Sequence, residues 1–331
     1  MSTAGRIPLL VIGGPTATGK TAAAVEVAAA VGGEVVSADS MQIYRGLDIG
    51  TAKPTAEEHA RARFHLVDIV DSTASYTVAD FQRDAQAAIA DIWARGKLPI
   101  LCGGTGLYVR AVLGGFNIPP GATPQLAEIR RNLERCAEAL GSPALHQELA
   151  QRDPAAAARI APTDRRRTIR ALEVCLATGQ RFSELARVDE GRKVIYNAAT
   201  FVLSCPRTLL YSRIDQRVDD MMAAGWLAEV RELRATGLTL AHQSMQAIGY
   251  RHLLLHLEHG SDLDETVSLI KRDTRRFAKR QLTWFRRESG RLLEWGDKLP
   301  FAAIAQSLHR SALLLLAGDG THGDKGQHDA G

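Results

Sequence analysis

An α/β fold, with a parallel sheet of the P-loop NTPase-like kind and an inserted all-helical lobe, is what this sequence predicts. Three observations predict it. The first is an apolar run, residues 7–12, that enters Gly14-Pro15-Thr16-Ala17-Thr18-Gly19-Lys20-Thr21 and leaves as an Ala-rich helical stretch at 22–28. That is the phosphate-loop pattern between a strand and a helix. The second is the return of short apolar runs at 34–38, 65–71, 97–102 and 194–204, spaced as in βα units. The third is residues 119–192, rich in Ala, Leu, Glu and Arg and without a strand-like run. The expected organisation is a discontinuous core, 1–115 and 194–316, with a helical insertion at 116–193. The Gly-, Asp- and His-rich end, 317–331, has nothing to bury and is expected to be disordered.

Composition sets bounds on function. The chain has 331 residues, 45% hydrophobic and 24% charged, enough for about two domains. A net charge of +4 permits a polyanionic partner without requiring one. Cys102, Cys136, Cys175 and Cys205 are widely separated and form no Cys-x-x-Cys pair, which argues against a disulfide framework or a zinc site. Cysteines used this way suit a reducing cytoplasm. The apolar run after Arg6 is too short for a signal peptide, and no apolar stretch has the length of a membrane span. The expectation is a cytoplasmic monomeric enzyme without a membrane partner.

In the phosphate loop the glycines let successive backbone N–H groups curl around an anion. Lys20 adds a point charge, and the Thr21 hydroxyl is placed for Mg²⁺. The second run ends at Asp39-Ser40-Met41-Gln42. Ligands of open α/β sheets sit beyond the carboxyl ends of the strands, so Asp39 can reach what the loop holds. It reads equally as a cap for the next segment. Residues 65–71 pass for a strand ending in a Walker B acid, Val67-Asp68. A helix is expected over 78–95, then a strand into Gly103-Gly104-Thr105, which brings Thr105 to the same sheet edge; a simple tight turn is the plainer alternative.

Within the insertion, Asp164-Arg165-Arg166-Arg167-Thr168-Ile169-Arg170 is a basic run whose preferred reading is a solvated face with intrahelical ion pairs. Arg213 and Arg217 lie four apart on one helix face, able to converge on an anion or to pair with Asp215, Asp219 or Asp220. A loop is expected around Gln246 to Arg251. Lys271, Arg272, Arg275, Arg276, Lys279, Arg280, Arg286 and Arg287 form a basic segment opposed within its span only by Asp273. Phe277, Trp284 and Phe285 are interleaved with it, and a polyanion would relieve its self-repulsion; the plainer alternative is a solvated basic helix with its aromatics in the core.

Taken in order, these segments resemble the tRNA dimethylallyltransferases from about residue 7 to 290. The carriers are the 14–21 loop, Asp39-Ser40-x-Gln42-x-Tyr44 and Gly46-x-Asp48-x-Gly50-Thr51-Ala52-Lys53-Pro54. Gly103-Gly104-Thr105-x-Leu107-Tyr108, Asp164 to Glu173, Arg213-x-x-x-Arg217 and Gly249-Tyr250-Arg251 continue the match. Thr274-Arg275-x-x-Ala278-Lys279-Arg280-Gln281-x-Thr283-Trp284-Phe285-Arg286 closes it. Thr18 stands where the family commonly has Ser, keeping the hydroxyl, and Phe64 where a second His is common.

The resemblance implies transfer of the dimethylallyl group of dimethylallyl diphosphate to N6 of the adenosine immediately 3′ of the anticodon, in tRNAs reading codons that begin with U. It implies that Gly14, Pro15, Thr16, Ala17, Thr18, Gly19, Lys20 and Thr21 hold the diphosphate, with Mg²⁺ on Thr21. Lys20 and Arg217 would neutralise the leaving group, Thr105 would bond near its bridging oxygen, and Asp39 would be the general base. Asp39, Ser40, Met41 and Gln42 would read the flipped adenine. Arg167, Arg170, Gln246, Gly249, Tyr250, Arg251, Arg275, Lys279, Arg280, Gln281, Trp284 and Arg286 would touch the anticodon stem-loop. The rivals are a small-molecule kinase with Asp68 as its Walker B acid and a non-catalytic RNA binder that uses a nucleotide as a switch. The basic segment disfavours the kinase, and Asp39 with Thr105 at two strand ends disfavours the binder.

Overall fold

The computed structural model describes residues 6–114, 124–185, 195–296 and 300–318. Among them, six parallel strands form one sheet: β1 (Ile7–Gly13), β2 (Glu34–Ser37), β3 (Phe64–His65), β4 (Pro99–Gly103), β5 (Tyr196–Ser204) and β6 (Arg291–Glu294). Their order is β3-β2-β4-β1-β5-β6. β1 is central, with Ile12 level with Cys102 of β4 and Phe201 of β5. Leu9, Leu10, Val11 and Ile12 are all fully buried. A run apolar on both faces is what a covered parallel sheet requires. The chain builds β2 and β4 to one side of β1 and β5 and β6 to the other, so a crevice opens at the carboxyl ends beside β1.

The helices are α1 (Lys20–Val31), α2 (Ala56–Arg61), α3 (Val78–Ala94), α4 (Gly106–Val112), α5 (Pro124–Leu140), α6 (Ser142–Arg152), α7 (Pro154–Ala157), α8 (Arg165–Thr178), α9 (Phe182–Leu185), α10 (Arg207–Ala223), α11 (Trp226–Ala235), α12 (Tyr250–His259), α13 (Leu263–Phe285) and α14 (Phe301–Leu316). α1 is Ala-rich and stops at Gly32, whose φ of 65° ends the helix while its N–H returns to the Ala28 carbonyl. Ile304, Leu308 and Ala312 of α14 share a core with Ala24, Val27 and Ala28 of α1 and with Leu10 and Ile12. Asp262 caps α13 by accepting from the Glu265 N–H, and Asp264 and Glu265 complement the dipole of its first turn.

The chain falls into two compact units, residues 1–76, 83–109 and 194–331 in one, and 77–82 with 110–193 in the other. The second is helical and has its own core, including Leu133, Ala137, Leu145, Leu149 and Leu172. α8 begins where the Asp164 carboxylate accepts from the Arg167 N–H and ends at Gly179, φ 69°. Beneath its surface the buried Glu173 takes Arg130 at 2.8 Å and Arg170 at 2.9 Å. Most of the 317–331 end lies outside the described residues.

One expected strand is corrected. β3 stops at His65, and Leu66 and Asp68 turn out of the sheet with φ of 61° and 57°. Asp68 is ion-paired to Lys53, which also holds Asp48 at 2.5 Å. It cannot serve as a strand-end Walker B acid. Among the described residues no helix is long and apolar enough to cross a membrane.

Candidate functional site

Three turns meet the carboxyl edge of the sheet, one after each of β1, β2 and β4. The first, the phosphate loop, is braced from outside. The Pro15 carbonyl accepts from the Thr18 hydroxyl at 2.8 Å and the Lys20 ammonium at 2.6 Å. Trp295 Nε1 donates to the Thr18 carbonyl and Arg213 Nε to the Ala17 carbonyl, each at 2.9 Å. These bonds hold Ala17 at φ 63°, a conformation a non-glycine residue rarely adopts.

On the inner side a cavity of ≈ 490 Å³ is lined by Gly19, Lys20, Thr21, Lys53, Glu58 and Arg217, among others. Burial pushes Lys20 down to about 8 from the usual lysine value; Arg217 adds to this, while Cys102 and Asp39 oppose it. Arg217 is likewise pulled down by burial, with Asp39 as its main opposing charge. Burial is the first cause in both, and an anion entering the same buried space would favour their charged forms. Both arginines line the cavity, and Arg213 also braces the loop and lies 5.0 Å from the centre of the Trp295 ring. The alternative partners are engaged elsewhere, Asp215 with Arg275, Asp219 with Lys271 at 2.6 Å and Asp220 with Gln216 at 2.8 Å.

Among the described residues no group of three His, Cys, Asp or Glu could hold a metal. Thr21 lines the cavity with Glu58 and Asp220, and so small a set of oxygen atoms suits a magnesium ion that takes its other ligands from phosphate and water.

In the second turn Asp39 does the capping job and keeps a free oxygen. Its Oδ1 accepts from the N–H groups of Met41 at 2.9 Å and Gln42 at 3.4 Å. Oδ2 has no protein donor among the described residues. In the third turn Thr105 Oγ1 accepts from the Ser40 N–H at 3.1 Å, and the Thr105 N–H donates to Ala38 at 3.1 Å. Any side chain at Gly103 would collide with the Ala38 carbonyl, so a glycine is needed for the two turns to meet. Asp39 and Thr105 thus share one sheet edge, linked through Ser40.

Several residues expected to touch RNA have bonding partners within the chain. The Gln42 amide is fully engaged: Oε1 accepts from Ser37 Oγ at 2.9 Å, and Nε2 donates to the carbonyls of Ala52 at 2.9 Å and Thr51 at 3.2 Å. Tyr250 begins a helix rather than a loop and is fully buried. Its hydroxyl donates to Glu229 at 2.5 Å and accepts from the Gly50 N–H at 3.0 Å. The other Glu229 oxygen takes the N–H groups of Asp48 and Ile49. The motif at 46–54 and the one at 249–251 are therefore halves of one clasp, with the unforeseen Glu229 between them. Arg251 pairs with Asp273 at 3.3 Å, the Gly249 N–H points to His252, and Gln246 is exposed but bonded to the Leu240 carbonyl. Gln281 is buried, held by Thr16 and Gly104. Trp284 is half-buried, its ring where a side chain on Gly106 would stand.

The basic segment divides along its length. Lys271 and Arg275 are tied to α10, and Arg272 and Arg276 to Asp273. Lys279, Arg280, Arg286 and Arg287 are exposed and, among the described residues, have no carboxylate partner. In the helical unit, Arg165 pairs with Glu138 at 3.2 Å, Arg167 with Asp164 at 3.5 Å and Arg170 with Glu173. The unforeseen brace Trp295 lies beyond every motif, and nothing in its sequence neighbourhood marks it.

Residues 42–288 match the family described as IPP transferase. The chain is 47% identical over 309 residues to the tRNA dimethylallyltransferase 1 of Trichlorobacter lovleyi, covering 93% of this chain and 99% of that one. It is 46% identical over 330 residues to the tRNA dimethylallyltransferase of Thermomicrobium roseum, covering 98% and 97%. Among solved structures, the tRNA isopentenylpyrophosphate transferase of Bacillus halodurans superposes with a TM-score of 0.70 at 41% identity, covering 95% of this chain and 98% of that one. A eukaryotic dimethylallyltransferase acting on tRNA gives 0.72 at 28% identity, covering 88% and 74%.

Proposed function

The chain belongs to the IPP transferase family, and from that premise we propose that it transfers the dimethylallyl group of dimethylallyl diphosphate to N6 of the adenosine immediately 3′ of the anticodon, in tRNAs reading codons that begin with U. The observation that carries this reading is the division of the crevice. Lys20, Thr21 and Arg217 line one cavity, of ≈ 490 Å³, while Asp39 and Thr105 stand together at the ends of other strands.

The diphosphate binds in the phosphate loop with Lys20 and Arg217 against its oxygens. As the C–O bond of the allyl group breaks, its electron pair leaves on the diphosphate, where both cations become more strongly bound. A Mg²⁺ ion held by the Thr21 hydroxyl and diphosphate oxygens would add charge neutralisation there. The adenine N6 amine is a weak nucleophile because its lone pair is delocalised into the ring. It forms the new bond to the allyl carbon and gives its proton to Asp39, whose Oδ2 is the available oxygen. Thr105 stands beside this edge to bond near the bridging oxygen. The adenine must leave the anticodon stack to enter. Lys279, Arg280 and Arg286 supply backbone contacts to the RNA, and Arg167 and Arg170 of the helical unit take the anticodon stem-loop.

The kinase reading is not favoured. The neighbours of β1 end at Gly103 and Ser204, not in a carboxylate, and Asp68 is paired with Lys53. Thermal unfolding with added ligand separates the two. Dimethylallyl diphosphate with Mg²⁺ should raise the unfolding temperature more than ATP at equal concentration. Stabilisation by ATP alone would reverse the assignment.

A further inference from the structure

Gln281 lies on α13 between Arg280 and Leu282, in the most basic stretch of the chain, yet its side chain is only 7% exposed. Its Oε1 accepts from the Thr16 N–H at 2.9 Å, and its Nε2 donates to the Gly104 carbonyl at 2.9 Å. One amide therefore bonds both to the phosphate loop that follows β1 and to the turn that follows β4. The approach is close, for Nε2 occupies the space that any side chain on Gly104 would need. Neighbours on the same helix face share the contact. Ala278 packs with Ala17, and the Phe285 ring lies where a side chain on Gly13 would stand. Positions 278, 281 and 285 fall on one face of a helix, while Lys279, Arg280 and Arg286 are exposed.

Resting on the reaction proposed above, we infer that Gln281 is a positioning residue for it and not an RNA contact. The Thr16 N–H, which in a phosphate loop could turn toward the anion, is drawn to α13, so Gln281 fixes the loop before a ligand enters. Gly104 immediately precedes Thr105, whose Oγ1 holds Ser40 in the Asp39 turn. The chain of bonds Thr16–Gln281–Gly104, continued through Thr105 and Ser40, joins the leaving-group end of the site to its proton-accepting end. It sets the distance between them. Only an amide of this length serves both turns. Glutamate lacks the donor for Gly104, methionine lacks both groups, and asparagine is one carbon short.

The test is Gln281→Met in the full chain, read by steady-state prenyl transfer to a tRNA transcript and by tRNA binding over a range of salt concentrations. Turnover at saturation with both substrates should fall by about ten- to a hundredfold, the cost of a misplaced reacting group. The tRNA dissociation constant and its salt slope should stay within about twofold of wild type, because no backbone contact is lost. Unchanged turnover in the folded variant would overturn the inference. So would a loss of tRNA affinity with a shallower salt slope and normal turnover, which is the signature of an RNA contact. If Gln281→Met does not fold, Gln281→Asn carries the test by the same criteria, since it keeps an uncharged amide that is one carbon short of bridging both turns. A wild-type protein with no transfer at all would sink the proposed reaction; normal wild-type transfer with normal variant turnover sinks this inference alone.

Discussion

The phosphate loop and the Asp39 turn lie at the same sheet edge and are built in opposite ways. Around the loop, the carbonyls of Pro15, Ala17 and Thr18 are all bonded from within the chain, and two of the cations lining the cavity, Lys20 and Arg217, are held below their usual basicity by burial. At the Asp39 turn the carboxylate is anchored through one oxygen only. A braced cradle with buried cations suits a group that arrives as an anion and leaves as a stronger one. A carboxylate fixed in place with one open oxygen suits a group that must take up a proton. Substitutions that separate anchoring from proton transfer, and charge from shape, can break this contrast.

The largest effect belongs to Asp39→Asn. The amide oxygen can still accept from Met41 and Gln42, so the turn survives, but it cannot take the proton. Turnover should drop by about a hundredfold to ten-thousandfold with both substrates still bound. Near-normal turnover would reduce Asp39 to a cap.

The next effect is on Lys20 and depends on pH. Burial brings the lysine to about 8, and a bound diphosphate favours its charged form and so raises its pKa. Below pH 8 the lysine is already charged, and affinity should not vary on its account. Above pH 8, binding has to draw in a proton, so affinity should fall by up to about tenfold per pH unit until the pKa of the bound state is reached. Titration of the diphosphate by calorimetry across pH 7 to pH 10 reads this directly. Lys20→Met should bind more weakly at pH 7 and lose that slope; a slope that persists would assign it to another group.

The smallest effects should leave both turns untouched. Lys279→Ala and Arg280→Ala should each weaken tRNA binding several-fold and lower the salt slope by about one ion. Arg275→Ala should change the slope less, since its guanidinium is paired with Asp215. Equal slopes for all three would mean that the ion pairs of α13 do not decide which cations meet the RNA.

How far the sequence alone leads is clear from the same residues. The phosphate loop was legible because its function rests on local backbone geometry, which glycine spacing reports. Asp39 and Thr105 were legible as strand-end residues, since consecutive βα units deliver strand ends to one edge. Gln42, Tyr250 and Gln281 were not, because their partners are backbone atoms or residues far along the chain: Thr51 and Ala52, Gly50 and Glu229, Thr16 and Gly104. A polar side chain in a motif near RNA-binding residues reads as a contact until its burial is known. The count of the basic segment overstates its free charge, as half of its cations are paired with carboxylates of α10 or with the shared Asp273. Asp68 misled by its position after an apolar run, since two residues in left-handed conformation remove that run from the sheet.

The most direct measurement is nucleoside mass spectrometry of an unmodified tRNA transcript incubated with the protein, Mg²⁺ and dimethylallyl diphosphate. The account predicts one adenosine per tRNA heavier by a single five-carbon prenyl unit, with equimolar diphosphate released. It also predicts no such product from a transcript whose adenosine 3′ of the anticodon is replaced by guanosine. Unmodified nucleosides from the intact transcript, or phosphate transferred from ATP in place of the prenyl group, would contradict it.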